Sequence, residues 1–501
     1  MATHAEFRRR ETVRLRWLLC ILLLLATSIA AASSEPPSIP RPDGGKLTSA
    51  GVDATVQRLM QAGHVTGAGI ALFHDGRIAY MKAYGLRDQE KNLPLTPDSV
   101  MTSASLNKAA FATMVMRLVQ AGDLDLDKPI GQYLPRPLPD YPRYTDLSGD
   151  ERWKKLTLRI LLSHTSGFPN WRAFEDDRKL RIHFDPGSRY AYSGEGIDLA
   201  QLVVETATRK PVSTLMEEQL YRPLQMAHTS MVWEPRFESD FANGYDEHGR
   251  SLGPERRKTA DAAGSMQTTL RDYSAFLSAL LQGQVLNRAT LSEMFRRQIQ
   301  IHSAHQFPSL APETTTANDP IRLGYGLGWG LYVSPYGKAF FKEGHDEGWR
   351  HLALGFTNGA GILIMTHSSN GEGIFKPLID ALLGPTAFPF DWEGYTPYDL
   401  LPPLPKLKEH KPVPLTAAQL NRVAGRYALS ADVVLTVTVE NGRVYVQEND
   451  EPKQEMLAES AQDFFSTTSS DEYTFKPGEG PAQVMVLHLE GEKDVELKRL
   501  P

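Results

Sequence analysis

Ser105-Leu106-Asn107-Lys108 opens a run, 105–120, in which Leu106, Ala109, Ala110, Phe111, Met114, Leu118 and Val119 recur at helical spacing. That periodicity predicts a helix with one buried face. Positions i and i+3 stand about one turn apart on a common face, so Ser105 and Lys108 project together. The pair has a chemical use. A serine hydroxyl is a weak nucleophile until a base takes its proton. A lysine amine can be that base when a dry site and nearby positive charge lower its pKa. A helix start also offers the serine oxygen a favourable field. The tetrapeptide alone equally describes a surface Ser and Lys on an ordinary helix, so other stretches must decide.

Two of them do. Phe184-Asp185-Pro186-Gly187-Ser188-Arg189-Tyr190-Ala191-Tyr192-Ser193-Gly194 turns at Pro186-Gly187 and brings Tyr192 to the mouth of a helix predicted over 197–206. Phe341-Lys342-Glu343-Gly344 precedes a turn at Gly348-Trp349-Arg350. Ser-x-x-Lys, then a Tyr or Ser motif, then Lys-x-Gly, in this order, resembles the penicillin-binding proteins and serine β-lactamases. Leu161-Leu162-Ser163-His164-Thr165-Ser166-Gly167 is similar to a signature of the class C β-lactamase-like family. Tyr325-Gly326-Leu327-Gly328-Trp329, Gly122-Asp123-Leu124-Asp125-Leu126-Asp127 and Ala263-Gly264-Ser265-Met266 match its habits too. The resemblance spans about residues 50–385. Its members include β-lactamases, D,D-peptidases, D-aminopeptidases, esterases and acyltransferases, so the fold leaves the substrate open.

The resemblance implies roles. Ser105 would be the acyl-accepting nucleophile, with Lys108 and Tyr192 sharing the proton work and Lys342 supplying positive field. The backbone N–H groups of Ser105 and His345 would form the oxyanion hole. Gly344 would clear the substrate's path to the edge strand. Two lysine ammoniums beside Tyr192 would favour its phenolate. Two departures bear on the substrate. Tyr-x-Asn is here Tyr192-Ser193-Gly194, without the amide that grips an acyl group. Lys-Thr-Gly is here Lys342-Glu343-Gly344, without the hydroxyl that helps hold a substrate carboxylate. Strand side chains alternate, so Glu343 points either out of the site or into it, where it would favour a cation. Gly194, Glu343, Gly344 and Arg350 are the candidate substrate contacts.

Composition narrows the rest. At 501 residues the chain can hold two or three domains. Residues 1–32 carry Arg8, Arg9, Arg10, Arg14 and Arg16 before an apolar run and Ala30-Ala31-Ala32, the pattern of a secretory signal peptide; left uncleaved, it would anchor the chain to a membrane. The only cysteine, Cys20, lies inside it, so the mature chain would have neither disulfide nor thiol chemistry. Losing that leader takes the formal net charge from −6 to −9, which argues against a nucleic-acid partner. No metal or cofactor motif stands out; His302 and His305 are flanked by loop-like sequence.

These readings give an α/β (α+β) fold class of the β-lactamase/D,D-peptidase kind. An antiparallel sheet assembled from both ends of the domain is flanked by helices and a helical lobe, and a small C-terminal β-barrel follows. The expected divisions are a signal peptide at 1–32, a hydrolase domain at 45–384, a Pro-rich linker at 385–414 and a barrel resembling a lipocalin at 415–501. Two loops, 135–155 and 301–320, are long enough to shape a substrate rim. The expected activity is that of a secreted serine hydrolase acting on a small-molecule or peptide ester or amide. The alternatives are a β-lactamase or cell-wall D,D-carboxypeptidase, or a non-catalytic peptide or peptidoglycan sensor. A pure binder has no need of Ser105, Lys108, Tyr192 and Lys342 together.

Overall fold

The computed structural model describes residues 38–404, 408–429, 433–449, 453–467, 469, 471–476, 480–488 and 494–501. The signal-peptide reading and Cys20 lie outside them. Among the described residues no helix is long and apolar enough to cross a membrane.

The centre is a nine-stranded antiparallel sheet. Its strands run, in spatial order, Ile299–Gln300, Gly324–Tyr325, Gly330–Ser334, Gly337–Asp346, Trp349–Phe356, Gly361–Thr366, Gly67–His74, Arg77–Asp88 and Leu93–Pro94. The N-terminal hairpin therefore joins the C-terminal strands, through Ile364 opposite Ile70. Central strands are apolar on both faces because both are covered. Ala71, Phe73, Ala353, Leu363 and Met365 face a core shared with helices Leu106–Ala121 and Leu270–Leu281. Their neighbours Ile70, Leu72, Leu352, Leu354, Ile362 and Ile364 face a second core with helices Ser49–Ala62 and Phe375–Leu382. The helical lobe, including Gly194–Thr208, is inserted between the two sets of strands.

Helix Leu106–Ala121 begins where the sequence places it, and Gly122 ends it in the left-handed conformation. The loop at 135–155 is wound into short 3-10 turns. The C-terminal segment closes into an eight-stranded barrel, with Tyr427 opposite Arg499 at the closure. Its interior is filled by Tyr427, Val437, Val446, Met456, Phe464, Phe475, Met485 and Leu497. The barrel touches the hydrolase part where Arg178 donates to the Leu429 carbonyl at 2.6 Å and Arg250 to that of Ser469 at 3.4 Å.

The structure corrects the start of the Pro-rich linker. Phe388, Phe390, Trp392 and Tyr395 are buried, in one core with Tyr190, Tyr192, Tyr332 and Phe341. Proline content signals a stiff chain, but here the intervening aromatics dock that chain on the sheet. Four such side chains contribute about 1.5–3 kcal/mol each, comparable to a domain's net stability of about 5–15 kcal/mol. A chain ending at Gly384 is expected to be insoluble or unfolded. One ending at Leu404 is expected to fold and react with an active-site phosphonate, as circular dichroism and labelling would report. Equal folding of the two would contradict this packing account.

Candidate active site

Ser105 sits immediately before the first turn of its helix and is partly exposed, whereas Lys108 is buried. Ala104, just before the serine, has φ of 46°. A left-handed non-glycine residue is strained, and such strain concentrates at functional sites. Lys108 Nζ lies 2.9 Å from Ser105 Oγ and donates to the Ala263 carbonyl at 2.5 Å. The 261–266 loop fixes this turn further, since Asn107 donates to the Asp261 carbonyl at 2.8 Å. Burial, with Lys342 adding repulsion, brings the Lys108 pKa down from 10.5 to about 7. At neutral pH the amine is thus poised between free base and ammonium.

Tyr192 enters from the segment before helix Gly194–Thr208. Its hydroxyl interacts with Ser105 and accepts from Lys342 Nζ at 3.1 Å. Its ring stacks on His164, with centroids 4.4 Å apart. His164 is buried and accepts the Ser193 N–H on Nδ1 at 3.1 Å, which leaves the proton on Nε2. Burial and the two lysines hold that ring neutral. The phenolate expected for Tyr192 is corrected: burial pushes its pKa well up, and Glu343 adds to the rise. Desolvation outweighs the lysine charges, so Tyr192 rests as a phenol.

Lys342 lies in strand Gly337–Asp346, whose pairing with Gly330–Ser334 ends at Phe341, leaving one edge of the site segment open. Simple alternation would separate Lys342 from Glu343. Instead Lys342 Nζ reaches back to the Glu343 carbonyl oxygen at 3.1 Å and forms an ion pair with Glu343 Oε1. Both side chains are buried, so Glu343 lies beside Lys342 and Tyr192. Burial lowers the Lys342 pKa, and Glu343 opposes that fall.

Other candidates are placed differently. A Cβ on Gly344 would lie 2.8 Å from the Ser103 carbonyl oxygen, so close packing of strand on helix start already demands glycine. The His345 side chain bonds Glu372 at 2.7 Å. Arg350 is buried and donates to the Trp349 carbonyl at 3.0 Å and to that of Asp346; its guanidinium ties the turn together. Ser166, the next serine to consider as a nucleophile, is buried and accepts the Phe168 N–H at 3.2 Å. His410, Glu459 and Glu472 form a His/Glu group on the barrel. Lys408 already donates to Glu472 there at 2.6 Å, and the two imidazole nitrogens face different carboxylates, as in an ion-pair cluster.

Trp171 was not legible in the motifs. It lies over the Lys108 ammonium, 5.8 Å from Nζ to the ring centroid, and fills the space above Gly194. Arg172 holds it there by bonding Glu195 through Nε and Nη2, both at 2.8 Å. Asn170 accepts the Gly194 N–H at 3.0 Å. A Cβ on Gly194 would come within 2.4 Å of the Trp171 ring. Gly194→Asn is therefore expected to lower stability by about 1–3 kcal/mol without creating penicillin reactivity. A thermal melt and fluorescent-penicillin labelling check this; an unchanged Tm or new labelling would contradict it.

The fold and this Ser–Lys–Tyr–Lys constellation define a serine hydrolase. The β-lactamase family model matches residues 52–383, and the chain belongs to that family. Penicillin-binding protein 4* of Bacillus subtilis is 23% identical over 457 residues, covering 84% of this chain and 92% of its own. Protein flp of Staphylococcus aureus strain MRSA252 is 25% identical over 301 residues, 56% of this chain and 55% of that protein. Among solved structures, the octameric penicillin-binding protein homologue from Pyrococcus abyssi superposes with TM-score 0.56 at 19% identity, covering 90% of this chain and 100% of the other. A D-alanine carboxypeptidase from Burkholderia cenocepacia gives TM-score 0.52 at 20% identity, covering 66% and 96%. These structural likenesses concern the fold.

Proposed function

We propose that the protein is an exported hydrolase that cleaves an ester or amide through an acyl-enzyme on Ser105. The observation that carries this is the 2.9 Å approach of Lys108 Nζ, lowered to a pKa of about 7, to Ser105 Oγ. In acylation Ser105 Oγ bonds to the acyl carbon as its proton passes to neutral Lys108. The backbone N–H groups of Ser105 and His345 receive the developing oxyanion. The bond to the leaving group breaks as that group takes the Tyr192 proton, and Lys342, already donating to the Tyr192 oxygen, stabilises the phenolate formed. Water then gives a proton to that phenolate and attacks the acyl carbon. Ser105 leaves with the proton held by Lys108, and every group is restored.

A second reading, penicillin recognition or D,D-carboxypeptidase activity, draws on the relatives whose names carry those functions. Glu343 beside Lys342 weighs against it, because a substrate carboxylate there would meet a like charge. Parallel labelling with a fluorescent phosphonate and a fluorescent penicillin separates the readings. Phosphonate alone is expected; labelling by both favours the second reading, and labelling by neither removes the hydrolase proposal. Export rests on the leader at 1–32, and N-terminal sequencing of the mature protein tests it.

A further inference from the structure

We infer that the site selects esters and thioesters of apolar acids, whose acyl chain lies against Trp171, over those of acylamino acids. This rests on the hydrolase reading above and names its substrate class. Where Tyr-x-Asn would place an amide, this chain presents hydrocarbon. A Cβ on Gly194 would meet Cη2, Cζ2 and Cζ3 of Trp171 at 2.4, 2.5 and 2.7 Å. Those atoms are the carbocyclic edge of the indole and carry neither donor nor acceptor. The ring thus takes the room that a side chain at 194 would fill. The neighbouring side-chain amide, Asn170, spends Oδ1 on the Gly194 N–H, and its backbone carbonyl accepts the Glu195 N–H, both at 3.0 Å.

The ring also stands at the reacting centre. Lys108 Nζ lies 2.9 Å from Ser105 Oγ and 5.8 Å from the Trp171 ring centroid. The same nitrogen is 5.3 Å from the centroid of the Tyr192 ring, on which Phe307 packs at 5.3 Å. Lys108 is buried, whereas Ser105 and Trp171 are both partly exposed and Phe307 is 44% exposed. Aromatic surface that reaches solvent therefore borders the serine. An apolar acyl chain on Ser105 that covers Trp171 removes hydrocarbon from water. An amide in that chain would instead be desolvated against carbon, which costs free energy unless a partner is found.

The wall is preformed. Besides its two bonds to buried Glu195, Arg172 donates from Nη1 to the Arg143 carbonyl at 2.6 Å, and Arg143 Nη2 reaches Glu195 at 3.4 Å. Ser193 Oγ donates to the Pro169 carbonyl at 2.8 Å. These bonds fix the segment bearing Trp171 to the start of helix Gly194–Thr208 and to the 135–155 loop. Little ordering then opposes binding against the ring.

The test measures thiol release by the full-length protein from two S-ethyl thioesters that share a leaving group. One carries the 4-methylpentanoyl group. The other carries N-acetylglycyl, its isostere with an amide in place of the branched hydrocarbon. Each kcat/KM is divided by the rate constant for hydroxide hydrolysis of the same thioester, which removes the difference in intrinsic reactivity. We expect the 4-methylpentanoyl thioester to be favoured by about tenfold or more. Trp171→Ala should bring that ratio toward one, and Trp171→Phe, which keeps an apolar ring, should hold most of it. Both substrates meet the same variant, so a general loss of activity leaves the ratio unmoved. As a measurement on the wild type alone, 4-methylpentanamide should protect against phosphonate labelling at lower concentration than N-acetylglycinamide. A wild-type ratio near one, a ratio unchanged in folded Trp171→Ala, or equal protection by the two amides would overturn the inference. A preference for N-acetylglycyl would overturn it too, and would assign amide recognition to Asn170 Nδ2. Absence of phosphonate labelling in the wild type would instead overturn the hydrolase reading, and this inference with it.

Discussion

Ser105→Ala is expected to abolish phosphonate labelling and to reduce turnover to the level of the solution reaction. No other hydroxyl occupies its position. Ser166 is buried and bonded within its own turn, and the Lys108 amine that would activate a nucleophile lies at Ser105. Removing one hydroxyl from a partly exposed residue should leave the melting temperature nearly unchanged. Retained labelling in a folded variant would mean that another residue attacks.

Lys108 should show the next largest effect. A positioned general base contributes about 10²–10⁴-fold, so Lys108→Ala should slow acylation by that much. The pH profile gives the sharper signature. The free amine is the active form, and its pKa is lowered from 10.5 to about 7. Acylation should therefore climb with pH through about 7 and level off above it. Two units below, only about one-hundredth of the amine is unprotonated. The limb near 7 should vanish in Lys108→Ala. Tyr192→Phe should also be slow, and the double variant should lose far less than the product of the two losses, because the residues serve one proton path. A wild-type profile flat from pH 5.5 to 8.5, or additive losses, would contradict this division of labour.

How much could be read from the chain followed the range of each signal. Ser105 and Lys108 lie one turn apart, so local periodicity places them together. Lys342 and Tyr192 are legible by motif order; the sheet carries Lys342, the segment before helix Gly194–Thr208 carries Tyr192, and the two side chains bond each other. Sequence alone favours the wrong protonation state for Tyr192 because charge is visible in it while the depth of burial is not. Trp171 follows no motif. It is delivered by a tertiary contact, Arg172 on Glu195. The aromatic docking of 388–395 explains why proline content extends the linker too far toward the N-terminus. Sequence reads glycine at 344 as substrate clearance and at 194 as a lost amide, yet the neighbours that require glycine there are the Ser103 carbonyl and Trp171.

The central claim is a covalent acyl intermediate on Ser105. Mixing the protein with excess thioester, quenching in acid within the first turnovers and mapping peptides by mass spectrometry tests it directly. The account predicts one acyl group, carried on Ser105 and missing from Ser105→Ala. Turnover with no acylated peptide, or an acyl group carried on Ser166 or any other residue, would contradict it.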